Sequence, residues 1–87
     1  MLMYQVEYSK SALKALRQMP RNTAAIIRRK IDAIAVDPFA PHNNATKLQG
    51  RDGYRLRIGD WRVIYDVYRN RLIIHILDIA PRGGAYQ

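Results

Sequence analysis

An α+β fold, strand–helix–helix–three strands with an antiparallel sheet and a two-helix hairpin packed on one face, is predicted by three observations. Strand-like and helical patterns are segregated along the chain: one short alternating segment, two amphipathic helical stripes, then three strand segments joined by tight turns. Residues Tyr54 to Tyr65 alternate around the pair Gly59-Asp60, the pattern of a β-hairpin with a two-residue type II′ turn. That turn sets the register so that Tyr54, Leu56, Ile58, Trp61, Val63 and Tyr65 share an apolar face, while Arg55, Arg57 and Arg62 share the other. Like charges directly opposed in a sheet are unfavourable, so the arginine face is expected to meet an anion.

The elements follow in order. Tyr4, Val6 and Tyr8 alternate with Gln5 and Glu7, which predicts a short first strand. Ser9 is placed to cap a helix with Ala12, Leu13, Leu16 and Met19 on its apolar stripe, and Pro20 stops it. A second helix is predicted from about Arg21 to Val36, with Ala24, Ile27, Ile31 and Ile34 on one stripe. It ends at Asp37-Pro38, because the residue before proline avoids the α region. Arg21, Arg28, Arg29 and Lys30 lie off that stripe and read as a solvated face. Residues 38–44 have no periodicity and read as a surface loop anchored by Phe39.

After the hairpin, Arg69-Asn70 marks the next turn. The apolar, β-branched run from Leu72 to Ile79 predicts a strand buried on both faces, with His75 as a packed core residue. The expected core is Leu13, Leu16, Ile27, Ile31, Ile34, Leu56, Val63, Tyr65, Ile74 and Ile76. Pro81 ends the strand, and Arg82 with Tyr86 follows beside the arginine face, so a basic groove is predicted.

Composition narrows the function. The 87 residues are expected to form one domain spanning 1–87, with a core small enough to need every apolar stripe. Fifteen Lys and Arg against seven Asp and Glu give a net charge of +8, a field that attracts polyanions and speeds association with them. The absence of cysteine excludes disulfides and thiolate metal sites and suits a reducing compartment. Met1 to Glu7 has neither a basic segment nor a long apolar run, and no uncharged stretch approaches the length of a membrane span. A cytoplasmic protein with no membrane association, no metal and no small-molecule cofactor is therefore expected.

The order of elements, the turn Asp37-Pro38-Phe39, the segment Lys47-Leu48-Gln49-Gly50, the hairpin Tyr54 to Tyr65, and the ending Ile79-Ala80-Pro81-Arg82-Gly83-Gly84-Ala85-Tyr86 resemble the RelE/ParE superfamily of bacterial toxins. The resemblance covers nearly the whole chain. It implies the toxin of a type II toxin–antitoxin system, partnered by a cognate acidic antitoxin. It also implies one of two activities: RelE-type members cut messenger RNA on the ribosome, whereas ParE-type members inhibit DNA gyrase without being nucleases. Residues matching the RelE-type pattern are Arg55, Arg57, Arg62, Arg82 and Tyr86 as catalytic, with Lys47, Arg55, Arg57, Arg62 and Arg82 as RNA-binding. The implied enzyme is a metal-independent endoribonuclease, in which the 2′-hydroxyl attacks the adjacent phosphate to give a cyclic phosphate. Two departures stand out. Arginine occupies positions 55 and 57, where several relatives carry lysine, and Pro81 stands where some carry histidine. With no imidazole there, Asp66 and His75 are the remaining acid–base candidates, and structural roles are expected for both.

Overall fold

Ser9 is where strand becomes helix, and the computed structural model, which describes residues 3–81, shows how. Strand β1 (Gln5–Tyr8) ends beside it. Ser9 is extended, at φ −66° and ψ 165°, and its Oγ accepts the Ala12 backbone N–H at 3.0 Å, which starts helix α1 (Lys10–Gln18). Met19 and Pro20 return to extended backbone, and α2 (Arg21–Val36) begins immediately after. Proline at this boundary has no N–H to leave unpaired. The second helix stops at Asp37, ahead of Pro38, as the sequence predicts.

Four strands follow: β2 (Ala45–Lys47), β3 (Tyr54–Ile58), β4 (Trp61–Tyr68) and β5 (Ile73–Pro81). They form one five-stranded sheet with β1, in the order β1-β5-β4-β3-β2. The sheet is antiparallel except at one edge, where β1 runs parallel to β5. That parallel edge and the short strand β2 add to the predicted architecture.

The β3–β4 register is the one the turn residues dictate: Ile58 opposes Trp61, Arg57 opposes Arg62, and Tyr54 opposes Tyr65. Gly59 has φ +55° while Asp60 is not among the positive-φ residues, the combination of a type II′ turn. The next connection, residues 69–72, is longer than the Arg69-Asn70 pair the sequence suggests. The Arg71 N–H bonds the Tyr68 carbonyl at 3.2 Å, and Leu72 takes a left-handed φ of +56°.

Strand β5 carries a bulge. Ile64 pairs with Asp78 and Tyr65 with Ile76, so Leu77 has no partner on β4. The extra residue re-phases the strand, and Ile74, Ile76 and Ile79 are all buried although strict alternation would have turned Ile79 outward. Those three pack with Leu56, Val63 and Tyr65 of the hairpin and with Ala12, Leu16, Ile27, Ile31, Ile34 and Ala35 of the helices. Each fully buried isoleucine contributes roughly 1.5–3 kcal/mol of transfer free energy.

Three expectations are corrected. Leu13 is 36% exposed and lies outside the core, because α1 buries a narrower stripe, Ala12 and Leu16, against the sheet. Strand β5 is buried on one face, with Ile73, His75 and Asp78 partly exposed on the other. Phe39 is 45% exposed; Pro38 is the residue of the loop that is buried. The Phe39 ring meets the Tyr4 ring edge-on, and the Arg69 guanidinium lies 4.5 Å from its centroid.

Candidate nucleic-acid interface

The helices cover one face of the sheet, and the strand periodicity sends the other set of side chains to the face they leave open. Register orders that face into rows. One row runs Thr46, Arg55, Ile64, Asp78 across β2, β3, β4 and β5. The next is Arg57, Arg62, Ala80. On the other side of the first, Asp66 faces His75, which faces Glu7 of β1. The open face is therefore basic on the β3 side and carries carboxylates on the β1 side.

Arg57 is exposed, and Arg55 and Arg62 are partly buried, so the hairpin brings three of the sequence-predicted residues together on two rungs of one face. Lys47, the fourth, is exposed at the end of β2. Arg82 and Tyr86 lie outside the described residues; β5 carries the chain to Pro81 alongside Trp61, one rung past Arg62. Between Arg55 and Asp78, Ile64 is only 5% exposed and stands apart from the main core cluster.

His75, expected in the core, is on this open face because the strand pairs β1 and β4 on either side of it and exposes its alternate residues. Its Nδ1 lies 3.9 Å from a Glu7 carboxylate oxygen, an ion pair only when the ring is protonated. Asp66 packs against Gly53: a β-carbon at that glycine would lie 2.8 Å from Asp66 Oδ1 and 3.3 Å from the Leu48 side chain. At φ +119°, Gly53 also holds a backbone conformation that other residues resist.

Chemically, the arginines offer planar forks of permanently charged donors suited to phosphate oxygens. The nearby phenols do not join them. Tyr65 stacks on Tyr54, centroids 5.4 Å apart, beneath the helix-covered face, and burial reinforced by its neighbour Tyr54 pushes its pKa up to about 12. It remains protonated at neutral pH.

A groove that strand and helix periodicity does not predict lies beside β2. It measures about 690 Å³ and is lined by Thr46, Lys47, Leu48, Gln49, Arg51 and Arg55. Its signal was present in the glycine-flanked stretch Gly50-Arg51-Asp52-Gly53, but a three-residue edge strand is too short to register as periodicity.

A small basic α+β domain, with a two-helix hairpin on one face of its sheet and arginines across the other, has the architecture of RelE-type toxins. Residues 6–86 match the family model described as the ParE toxin of the type II toxin–antitoxin system parDE, and the chain belongs to this family of toxins. It is 34% identical over 86 residues to the putative toxin RelE1 of Methanocaldococcus jannaschii, covering 97% of this chain and 96% of that protein. Against the crystal structure of the archaeal RelE–RelB complex from Pyrococcus horikoshii, the TM-score is 0.78 at 32% identity, over 97% of this chain and 100% of that one. The intact RelBE toxin–antitoxin complex of E. coli has the same fold, with a TM-score of 0.77 at 20% identity, over 90% of this chain and 95% of that one.

Proposed function

We propose that this toxin is a ribosome-dependent mRNA endonuclease that arrests translation and is held inactive by a cognate antitoxin. The observation that carries the reading is the direct opposition of Arg57 and Arg62, with Arg55 one rung away, on the face the helices leave open. Opposed like charges cost stability in a sheet, and a phosphodiester seated between them removes that repulsion. The similarity to RelE1 and to the toxin of the P. horikoshii RelE–RelB complex supports the RelE-type activity and an antitoxin partner for this chain.

In this mechanism the 2′-oxygen attacks the adjacent phosphorus, the bond to the 5′-oxygen breaks, and a 2′,3′-cyclic phosphate forms. The proton lost by the 2′-hydroxyl is matched by one gained at the 5′-oxygen. Arginines stay protonated at neutral pH, so Arg55, Arg57, Arg62 and Arg82 stabilise the charge developing on the non-bridging oxygens and do not abstract the proton. Tyr86 positions the RNA, by stacking on an unstacked base or by orienting the 2′-hydroxyl. Lys47 adds charge along the strand.

Single-turnover cleavage of messenger RNA on purified ribosomes tests the reading. Removing a donor aimed at developing charge typically slows turnover by about 10²–10³. Arg62→Ala and Arg82→Ala are expected to lose that much while still associating with ribosomes. Wild-type rates in both variants would overturn the catalytic assignment, and inhibition of gyrase supercoiling by the purified protein would replace it with the ParE-type activity.

A further inference from the structure

A diagonal divides the charges of the open face. Strands β3, β4 and β5 set that face out as a grid, with Arg57, Arg62 and Ala80 in one row and Arg55, Ile64 and Asp78 in the next. The third row holds Asp66 and His75, with Gly53 beside Asp66 at the β3 end and Glu7 of β1 beyond His75. The diagonal Gly53–Ile64–Ala80 is uncharged. Arg55, Arg57 and Arg62 all lie on one side of it, and Asp66, Asp78 and Glu7 all lie on the other.

This pattern is complementary to itself. A twofold axis lying in the plane of contact along the diagonal brings each residue of the face opposite its mirror position across that line. Arg55 then meets Asp66 of a second copy, Arg62 meets Asp78, and Arg57, at the corner, comes over the side that holds Asp78 and Glu7. Symmetry makes every pair occur twice. With strands about 4.8 Å apart and same-face residues about 6.8 Å apart along a strand, the diagonal runs about 35° from the strand direction and the strands of the two copies cross at about 70°. That approaches the orthogonal class of sheet packing.

We propose that two copies of this chain pack open face to open face as an isologous dimer about the Gly53–Ile64–Ala80 diagonal, each neutralising the arginines of the other with its carboxylates. An acidic peptide laid across the face matches the arginines but is repelled by Asp66, Asp78 and Glu7, whereas a second copy satisfies both halves. The sheet limits the contact: five strands by three rungs cover roughly 24 Å by 14–20 Å, about 700–1,000 Å² over both copies, the size of a weak, transient interface. The net charge of +8 on each copy opposes association at long range, so the dimer depends on these local pairs. On the reading of the arginine face as the RNA site, the dimer is a closed form of the toxin that separates before RNA enters.

Sedimentation velocity of the purified full-length protein without antitoxin, from low micromolar to near-millimolar concentration, tests this. Wild type is expected to shift from monomer toward dimer as concentration rises. Arg55→Asp and Asp66→Arg each set like charges against one another twice, and each variant alone is expected to dimerise at least about tenfold more weakly. Mixed together, they regain opposite charges at both pairs, and a heterodimer of wild-type strength is expected. Asp32→Arg, which makes the same change of charge on the exposed side of α2, is expected to dimerise like wild type. If Asp66→Arg fails to fold, Arg62→Asp and Asp78→Arg decide the matter by the same exchange at the second pair. A wild type that stays monomeric throughout, undiminished dimerisation of the single variants, or a mixture that remains monomeric would each overturn the proposal. So would equal weakening by Asp32→Arg and Asp66→Arg, since net charge alone would then govern association. No RNA takes part, so a failure here leaves the nuclease reading standing, and a protein that fails to cleave on ribosomes leaves the dimer standing.

Discussion

The hydroxyl of Ser9 donates to the carbonyl of Leu77 at 2.8 Å while accepting the Ala12 N–H at 3.0 Å, so one side chain caps α1 and satisfies the bulged residue of β5. The Ser9 N–H also bonds the Ile76 carbonyl at 2.9 Å. The helix is thereby tied to the irregular rung that keeps Ile79 in the core.

The first prediction follows from that dual role. Ser9→Ala removes an N-cap, worth roughly 1 kcal/mol, and the shorter of two hydroxyl bonds to the Leu77 carbonyl, which keeps the Ser11 hydroxyl at 3.3 Å, so a total loss of about 1–2 kcal/mol is expected. Ser9→Asp distinguishes the two functions. Aspartate caps helices well but has no proton to donate to Leu77, and it is expected to fall well short of wild type, whereas Ser9→Thr is expected to retain most stability. Guanidinium denaturation of the three variants checks the order. A Ser9→Asp protein as stable as wild type would remove the Leu77 bond from the account.

A second prediction concerns alkaline pH. Tyr65 is 2% exposed and its pKa is raised from the ordinary phenol value of 10.0 to about 12, first by burial and then by Tyr54. The folded state therefore holds a proton that the unfolded state releases above pH 10. Its contribution to stability is complete below pH 10 and is lost progressively as pH rises toward about 12. Tyr8, also raised by burial, falls in the same direction. Denaturation midpoints measured for wild type and Tyr65→Phe on both sides of pH 10 should show wild type losing stability relative to the variant as pH rises, because phenylalanine has no proton to lose. Parallel pH dependences in the two proteins would count against the assignment to Tyr65.

A third prediction concerns Gly53, where the connection from β2 enters β3 against Asp66. Gly53→Ala adds strain at φ +119° and sets a β-carbon 2.8 Å from Asp66 Oδ1, and a loss of about 1–3 kcal/mol is expected. Combining it with Asp66→Ala removes the shortest approach but neither the backbone strain nor the 3.3 Å approaches to the Leu48 side chain and the Tyr65 carbonyl. A double-mutant cycle is therefore expected to show partial recovery, with a coupling of at least 0.5 kcal/mol in the range seen for residues in contact. Strict additivity would mean that the Asp66 carboxylate or the loop moves aside at no cost.

Much of this was legible in the sequence because the turn chemistry was explicit. Gly59-Asp60 fixes which residues oppose one another, and from that pairing alone Arg55, Arg57 and Arg62 fall on one face and Leu56 and Val63 on the other. The helices were legible from Ser9, Pro20 and Pro38, which start and stop them by excluding alternatives. The bulge was not legible: Ile74, Ile76 and Ile79 belong to one buried face only once Leu77 is taken out of the alternation, and nothing in a continuous apolar run marks the residue that will drop out. The same uniformity hid the exposure of His75. Alternation also carries no strand direction, so the parallel pairing of β1 with β5 came from the path of the helical hairpin. Leu13 fits the helical stripe as well as Leu16 does, and only the angle at which α1 meets β5 separates them.

The last prediction sets stability against function at Arg57. This side chain is exposed and directly opposite Arg62, and like charges in that relation are destabilising by roughly 0.2–1 kcal/mol. Arg57→Thr removes the repulsion and places a β-branched residue with good strand propensity in β3. The variant is expected to be as stable as wild type or more stable by up to about 1 kcal/mol, measured by urea denaturation of the antitoxin-free protein. Activity should move the other way, with the single-turnover rate falling if Arg57 faces the scissile phosphate. Salt separates electrostatic repulsion from a general propensity effect: the stability difference should shrink as ionic strength rises and the opposed charges are screened. A stabilised variant with undiminished cleavage would show that the repulsion between Arg57 and Arg62 serves something other than the phosphate. A destabilised one would show that Arg57 is held by contacts that outweigh its opposition to Arg62.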